Sequence, residues 1–166
     1  MKKTLSLILS IILLVLLFNF NVSAANYNAL PKNETIINET IEYFPDGSTI
    51  TTTITQQINN IETFATTKTV SGTKTKTVKN SDGEILYKFK INGTFSVNVG
   101  ASAVCTAVSC SASELASGWS LDSSTTSKSG NTAKATGVFK HKVLFVTNVT
   151  QEVSNTLSCD KDGVLS

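Results

Sequence analysis

Few side chains in this chain are suited to covalent or acid–base chemistry: Cys105, Cys110 and Cys159, His141, and the quartet Ser71-Gly72-Thr73-Lys74. The quartet sets a hydroxyl three residues before an amine, the spacing used in serine acyl transfer. That chemistry needs a helix beneath the motif and Ser-Asp-Asn and Lys-Thr-Gly partners, and here the quartet falls in a Thr- and Lys-rich strand without them. His141 could act as a general base, but its neighbours Lys140 and Lys142 do not orient it, and no nucleophile is implied. Asp160-Lys161-Asp162-Gly163 opens like a calcium loop, yet no terminal Glu ligand follows, so a turn is expected. Three scattered cysteines and a single histidine lack metal-ligand spacing. The expectation is a non-enzyme with no cofactor and no metal.

How the cysteines behave depends on where the chain goes. Lys2 and Lys3 precede an apolar run from Leu5 to Phe18, and Val22-Ser23-Ala24 puts compact residues where signal peptidase reads them. Cleavage is expected after Ala24, with Ala25 a near alternative. Asn19 and Asn21 interrupt the run before the ~20 apolar residues a membrane span requires. The chain is therefore expected to be secreted, extracellular or loosely wall-associated, without stable membrane insertion after cleavage. Losing Lys2 and Lys3 takes the formal charge from +2 to zero, and the chain has no Arg. Such a chain makes a poor nucleic-acid binder and a poor cationic lytic peptide. In an oxidising exterior three cysteines imply one disulfide and one thiol left over. Cys105 and Cys110 lie five apart on an expected strand, ~16 Å apart and on opposite faces. A bridge needs Cα atoms within ~7 Å, so Cys159 must pair with one of the two.

The elements that position these residues are all β. Residues 25–34 read as a flexible lead-in, 35–62 as an N-terminal hairpin around Pro45-Asp46-Gly47-Ser48, and 63–166 as a disulfide-stapled β-sandwich domain. Thr63 to Lys79 suits a solvated or edge strand. Apolar residues occupy odd positions from Ile85 to Val99; a hairpin turn at Asn92-Gly93 would mix the faces, so one long strand with a bend or bulge at Gly93 is expected. Val104 to Ala112 is apolar on both faces, like a central strand. Trp119 opens a short strand, Ser127 to Asn131 turns, Thr132 to Lys140 is a strand, and Val149, Val153, Leu157 and Cys159 share one parity. The whole reads as an antiparallel β-sandwich of roughly eight or nine strands preceded by a signal-peptide helix.

Several stretches resemble a family of small secreted proteins of Gram-positive, Clostridia-type bacteria that has no assigned activity. They include Tyr43-Phe44-Pro45-Asp46-Gly47-Ser48, Thr67 to Lys74, Asn80-Ser81-Asp82-Gly83, Asn92-Gly93-Thr94-Phe95, Cys105-Thr106, Ser127 to Ala133 and Leu157-Ser158-Cys159-Asp160. A cysteine after the long strand and one near the C-terminus recur in that family, which implies a Cys105–Cys159 bridge and makes Cys110 the departure. The bacterial resemblance also leaves the Asn-x-Thr sequons at Asn33, Asn38, Asn92 and Asn148 idle. The order Cys105, Trp119, Cys159 resembles immunoglobulin domains in architecture at most, because the residues after Cys159 leave no room for a following strand.

Lys68, Lys74, Lys76 and Lys79 stand in a stretch with no acid between Glu62 and Asp82. They are a candidate patch for anionic wall polymers or acidic glycans; protection of a sheet edge competes with that reading. Thr51, Thr53, Thr55 and Thr73, Thr75, Thr77 look like the ladders of ice-binding surfaces but lack a short fixed repeat, and strand propensity explains them. The expected function is a non-enzymatic extracellular module binding a cell-wall polymer, a glycan or another protein. The alternative is a secreted bacteriocin-like effector or a protein inhibitor.

Overall fold

Thr, Val and Ile recur at alternate positions along most of the sequence beyond residue 34, a pattern whose branched side chains suit a pleated, half-buried surface. A computed structural model describes residues 33–57, 66–144 and 146–166. The expected leader over 1–24, most of the lead-in and the 62/63 boundary lie outside the described residues. What is described is all β: β1 (Glu34–Tyr43), β2 (Thr49–Gln57), β3 (Thr67–Lys79), β4 (Ile85–Asn98), β5 (Ser102–Ser113), β6 (Trp119–Ser129), β7 (Thr132–Val143) and β8 (Val146–Ser158). Turn chemistry joins them. At the β1–β2 turn Gly47 takes φ 84°, and Asp46 Oδ1 accepts from the Ser48 backbone N–H at 3.0 Å. At the β3–β4 turn, Asn80 Oδ1 accepts from the Asp82 and Glu84 amides.

Two antiparallel sheets result, one ordered β1-β2-β3-β4-β5 and one ordered β6-β7-β8. They share one core. Its centre is β4, whose odd positions Tyr87, Phe89, Ile91, Phe95 and Val97 are fully buried. Tyr87 stacks on Phe139 of β7 at 3.9 Å, and Phe89 meets the same ring edge-on at 5.7 Å. Leu157 and Val153 of β8 close the core from the smaller sheet.

The sheets differ in width, and the difference matters below. β8 packs on β3 and β4, β7 on β4 and β5, and β6 on β5. β1 and β2 therefore extend past the edge of the smaller sheet. Near its C-terminal end β8 gains a short partner on that open edge: Ser158 and Ser166 exchange backbone hydrogen bonds of 2.8 and 3.0 Å, and Cys159 pairs with Leu165.

Three local expectations change. Asn92-Gly93 makes no turn, and β4 runs unbroken, but the bulge sits in β5: Thr94 faces Ala107 and Phe95 faces Cys105, leaving Thr106 as the extra residue. Gly93 is instead a packing glycine, because a Cβ there would lie 2.8 Å from the Phe95 ring. β5 is an edge strand and not a central one; its small Ala, Ser and Cys residues look apolar on both faces without being buried on both. β3 is no edge strand, since it pairs with β2 and β4 on either side.

Candidate functional site

Parity along β3 places the lysines. The strand runs without a bulge against β2, so Lys68, Val70, Gly72, Lys74, Lys76 and Val78 share one face, and Val70, Gly72 and Val78 are buried on it. Lys74 and Lys76 thus lie on the core side of the larger sheet, opposite Ile54 and Thr52 of β2. They are tolerated there because this is where the smaller sheet stops. Both are half-buried, and among the described residues neither has an ion pair. Burial lowers the Lys74 pKa below the ordinary lysine value, and the neighbouring Lys76 charge lowers it further.

Two hollows follow the same face of β2. A lower one of about 260 Å³ is lined by Asn38, Thr40, Thr52, Ile54, Lys74 and Ser166. An upper one of about 390 Å³ lies among Phe44, Pro45, Asp46, Ser48, Ile50, Val78 and Gln151. Ile50, Thr52 and Ile54 are successive inward positions of one strand, so the hollows continue each other as a groove between β2–β3 and the open edge of β8. From Ser48 to Ile54 it spans roughly 20 Å, about six residues of extended chain. Its lower half is amide, hydroxyl and ammonium; its upper half is mainly apolar, with the Asp46 carboxylate and Gln151 on its wall. Such a groove can hold an extended anionic chain.

One buried polar side chain shapes its wall. Asn155 of β8 is 1 % exposed and donates Nδ2–H to the carbonyl oxygens of Lys74 at 2.8 Å and of Phe89 at 3.5 Å. It ties the smaller sheet to the groove floor. Its Oδ1 has no partner among the described residues. Asn155 escaped the sequence reading because Asn in Ser-Asn-Thr looks like surface polarity; its place in the apolar parity of Val153 and Leu157 was the signal.

The remaining candidates separate. Lys68 Nζ donates to the Asp162 carbonyl oxygen at 2.7 Å, so it holds the C-terminal turn and does not serve the groove. Lys79 ends β3 and lines a third hollow of about 370 Å³ with Asn80, Ser81 and Trp119 at the loop end. Ser71 has the opposite parity to Lys74 and bonds Thr94 Oγ1 at 3.3 Å, so the two halves of the Ser-x-x-Lys quartet face opposite sides of the sheet. His141 Nδ1 is 2.9 Å from Asn148 Oδ1, and its ring lies 5.3 Å from that of Trp119. Asp160 Oδ1 accepts from the Asp162 and Val164 amides at 2.9 and 2.8 Å, the turn expected in place of a calcium loop. Those bonds hold its carboxyl below the usual range. Among the described residues no cluster of His, Cys, Asp and Glu could hold a metal ion.

The cysteines need the largest correction. All three are free thiols here, and the expected Cys105–Cys159 bridge is not formed. Cys105 and Cys159 are buried, with Sγ–H directed at the carbonyl oxygens of Ala107 at 3.4 Å and Asp160 at 3.6 Å. Nor do Cys105 and Cys110 face opposite ways. The extra residue Thr106 resets the parity, so both lie on the core side, opposite Phe95 and Ile91. Burial raises the thiol pKa of Cys105, and that of Cys159 to about 11, with Asp160 adding to the latter. No family model, curated protein or solved structure matches the chain.

Proposed function

We propose that the chain is a secreted, non-enzymatic β-sandwich module that binds an extended anionic polymer of the cell envelope, a wall polymer or an acidic glycan, along the groove between β2–β3 and β8. The observation that carries this reading is Lys74 beside Lys76. Two like charges on the core side of a sheet, half-buried and in no ion pair among the described residues, are unfavourable for the empty fold, and an anionic ligand would relieve them. Hydroxyl and amide groups of Thr40, Thr52 and Asn38 supply hydrogen bonds along the same lower hollow. Export is supported by the leader pattern and by the resemblance to small secreted bacterial proteins.

The test is retention of the chain beginning at Ala25 on peptidoglycan, on teichoic acid and on an acidic glycan. Retention on at least one should weaken as salt rises. It should be lost in the Lys74→Met, Lys76→Met double variant while Lys142→Met retains it. Retention on none of the three, or retention indifferent to the double variant, overturns the reading.

A further inference from the structure

The third hollow, about 370 Å³ at the loop end, is built where two turns meet. The β1–β2 turn comes so close to the β3–β4 turn that a Cβ on Gly47 would lie 3.2 Å from Ser81 Cβ. Trp119 is fixed beside them from β6. Its backbone N–H donates to the Ala116 carbonyl oxygen at 3.0 Å, the Ala116 N–H donates to that of Leu86 at 2.8 Å, and the indole lies 5.1 Å from the buried Tyr87 ring. The apolar lining is Trp119, Leu86, Val78 and Val149. The polar lining is Asp46, Ser48, Lys79, Asn80, Ser81 and Gln151. Asp46 Oδ1 and Asn80 Oδ1 are bound into their own turns, whereas the half-buried Gln151 amide has no hydrogen bond among the described residues.

We propose that this hollow takes an uncharged sugar ring of the polymer in the groove, so that the ligand is a glycan combining anionic and neutral units. The inference rests on the groove reading, because Asp46, Ser48, Val78 and Gln151 line both this hollow and the upper end of the groove. A pyranose presents a face of C–H groups and a rim of hydroxyls. The indole of Trp119 offers the broad apolar surface that suits the first. Gln151 and the Asp46 carboxylate, each with two polar atoms in one plane, suit adjacent hydroxyls of the second. A few placed polar groups on a mainly apolar wall is the usual make-up of a small-molecule site. Charge decides against an anionic unit here. Asp46 offsets Lys79 within the lining, and Glu42, Asp82 and Glu84 stand at the same end of the fold in no ion pair among the described residues. A group drawn to Lys74 and Lys76 is therefore repelled at the loop end. Val78 follows Lys76 on the same face of β3, ~7 Å further on, so the two units belong to adjoining parts of one extended chain.

Emission of the sole tryptophan, Trp119, and titration calorimetry test it on the chain beginning at Ala25. The probes are cellotetraose and tetra-N-acetylchitotetraose, which carry no charge, and tetragalacturonate, which carries one on every unit. At least one neutral tetramer should bind and shift the emission, and tetragalacturonate should leave it unchanged. Trp119→Ala should abolish the calorimetric signal, but the ring also packs on Tyr87 and its loss can disturb the fold. Gln151→Ala separates the two effects: it should weaken neutral binding by about three- to tenfold while melting like the parent. The Lys74→Met, Lys76→Met double variant should bind the neutral tetramer like the parent. Acidic polymers retained while neither neutral tetramer binds would overturn the sugar site and leave the groove reading; neutral binding with no acidic polymer retained would do the reverse. The sugar site also falls if Gln151→Ala binds like the parent, or if tetragalacturonate shifts the emission as strongly as the neutral tetramers.

Discussion

Lys74→Met should stabilise the fold while removing ligand. Methionine keeps an unbranched stem beside Ile54 and deletes the charge. Same-face neighbours on a strand stand ~7 Å apart, and two unit charges at that distance repel by ~2 kcal/mol at an effective dielectric of ~20. Lys74 and Lys76 are only half-buried, so solvent screening reduces the relief to ~0.5–1 kcal/mol, a rise in Tm of ~2–4 °C. The pH dependence gives the sharper signature. The folded pKa of Lys74 is lowered from the ordinary 10.5, so the unfolded chain binds the proton more tightly. The penalty is therefore constant below the folded value and is relieved as pH rises from there through 10.5, so stability contributed by this residue grows with pH over that window. Urea melts of parent and variant from neutral pH to ~10 should converge as the parent gains. A variant less stable than the parent at neutral pH, or one that keeps the parent's full gain at high pH, would refute the placement of this lysine.

Two further outcomes follow from particular contacts. In the native chain a thiol reagent should modify Cys110 first, because it is half-exposed, whereas Cys105 and Cys159 are buried with raised pKa values and should react only on unfolding; mass mapping after a timed pulse reads the order, and early labelling of Cys159 would contradict its burial. Gly72→Ala should destabilise by ~2–3 kcal/mol in urea melts, since the new Cβ would lie 2.6 Å from the Thr55 carbonyl oxygen and overlap Leu165 Cδ1, so that backbone or tail must shift; a change under ~0.5 kcal/mol would mean that the C-terminal tail does not pack on β3.

Much of the fold was legible because strand periodicity is a local property. The unbroken parity from Ile85 to Val99 correctly outweighed the Asn-Gly pair at 92–93, since register on a buried strand is fixed by which face its large residues occupy. Pro45-Asp46-Gly47 and Ser129-Gly130-Asn131 likewise announced their turns. Lateral position in a sheet is not local, and there the reading failed. β3 looked like an edge because of its lysines, and β5 looked central because small residues hide the difference between buried and exposed faces. The bulge at Thr106 is invisible to a parity count, and it turned Cys105 and Cys110 onto the same face. The four lysines were singled out together, yet only Lys74 and Lys76 belong to the groove, because Lys68 is taken by the Asp162 carbonyl and Lys79 lies at the loop end.

The groove itself is written across the strands as a gradient of polarity. On the core face β4 contributes Tyr87, Phe89, Ile91, Phe95 and Val97, all fully buried. Its neighbour β3 contributes Val70, Gly72, Lys74, Lys76 and Val78; β2 contributes Ile50, Thr52, Ile54 and Gln56; the edge strand β1 contributes Asn38, Thr40 and Glu42 opposite them. A sheet covered over its full width would need apolar residues at these positions in every strand, because uncompensated polar groups are expensive to bury. Five strands facing three cannot provide that cover, and the sequence answers by mixing charged, hydroxyl and amide side chains into the core-side positions of β3, β2 and β1. Asn155 stands where this gradient crosses to the other sheet, buried in β8 and bonded to the carbonyl of Lys74. The mismatch in sheet width is thus a physical condition for the groove: a fourth full strand on the open edge of β8 would bury the two lysines and close the only face on which β2 and β3 present mixed polar and apolar side chains to solvent.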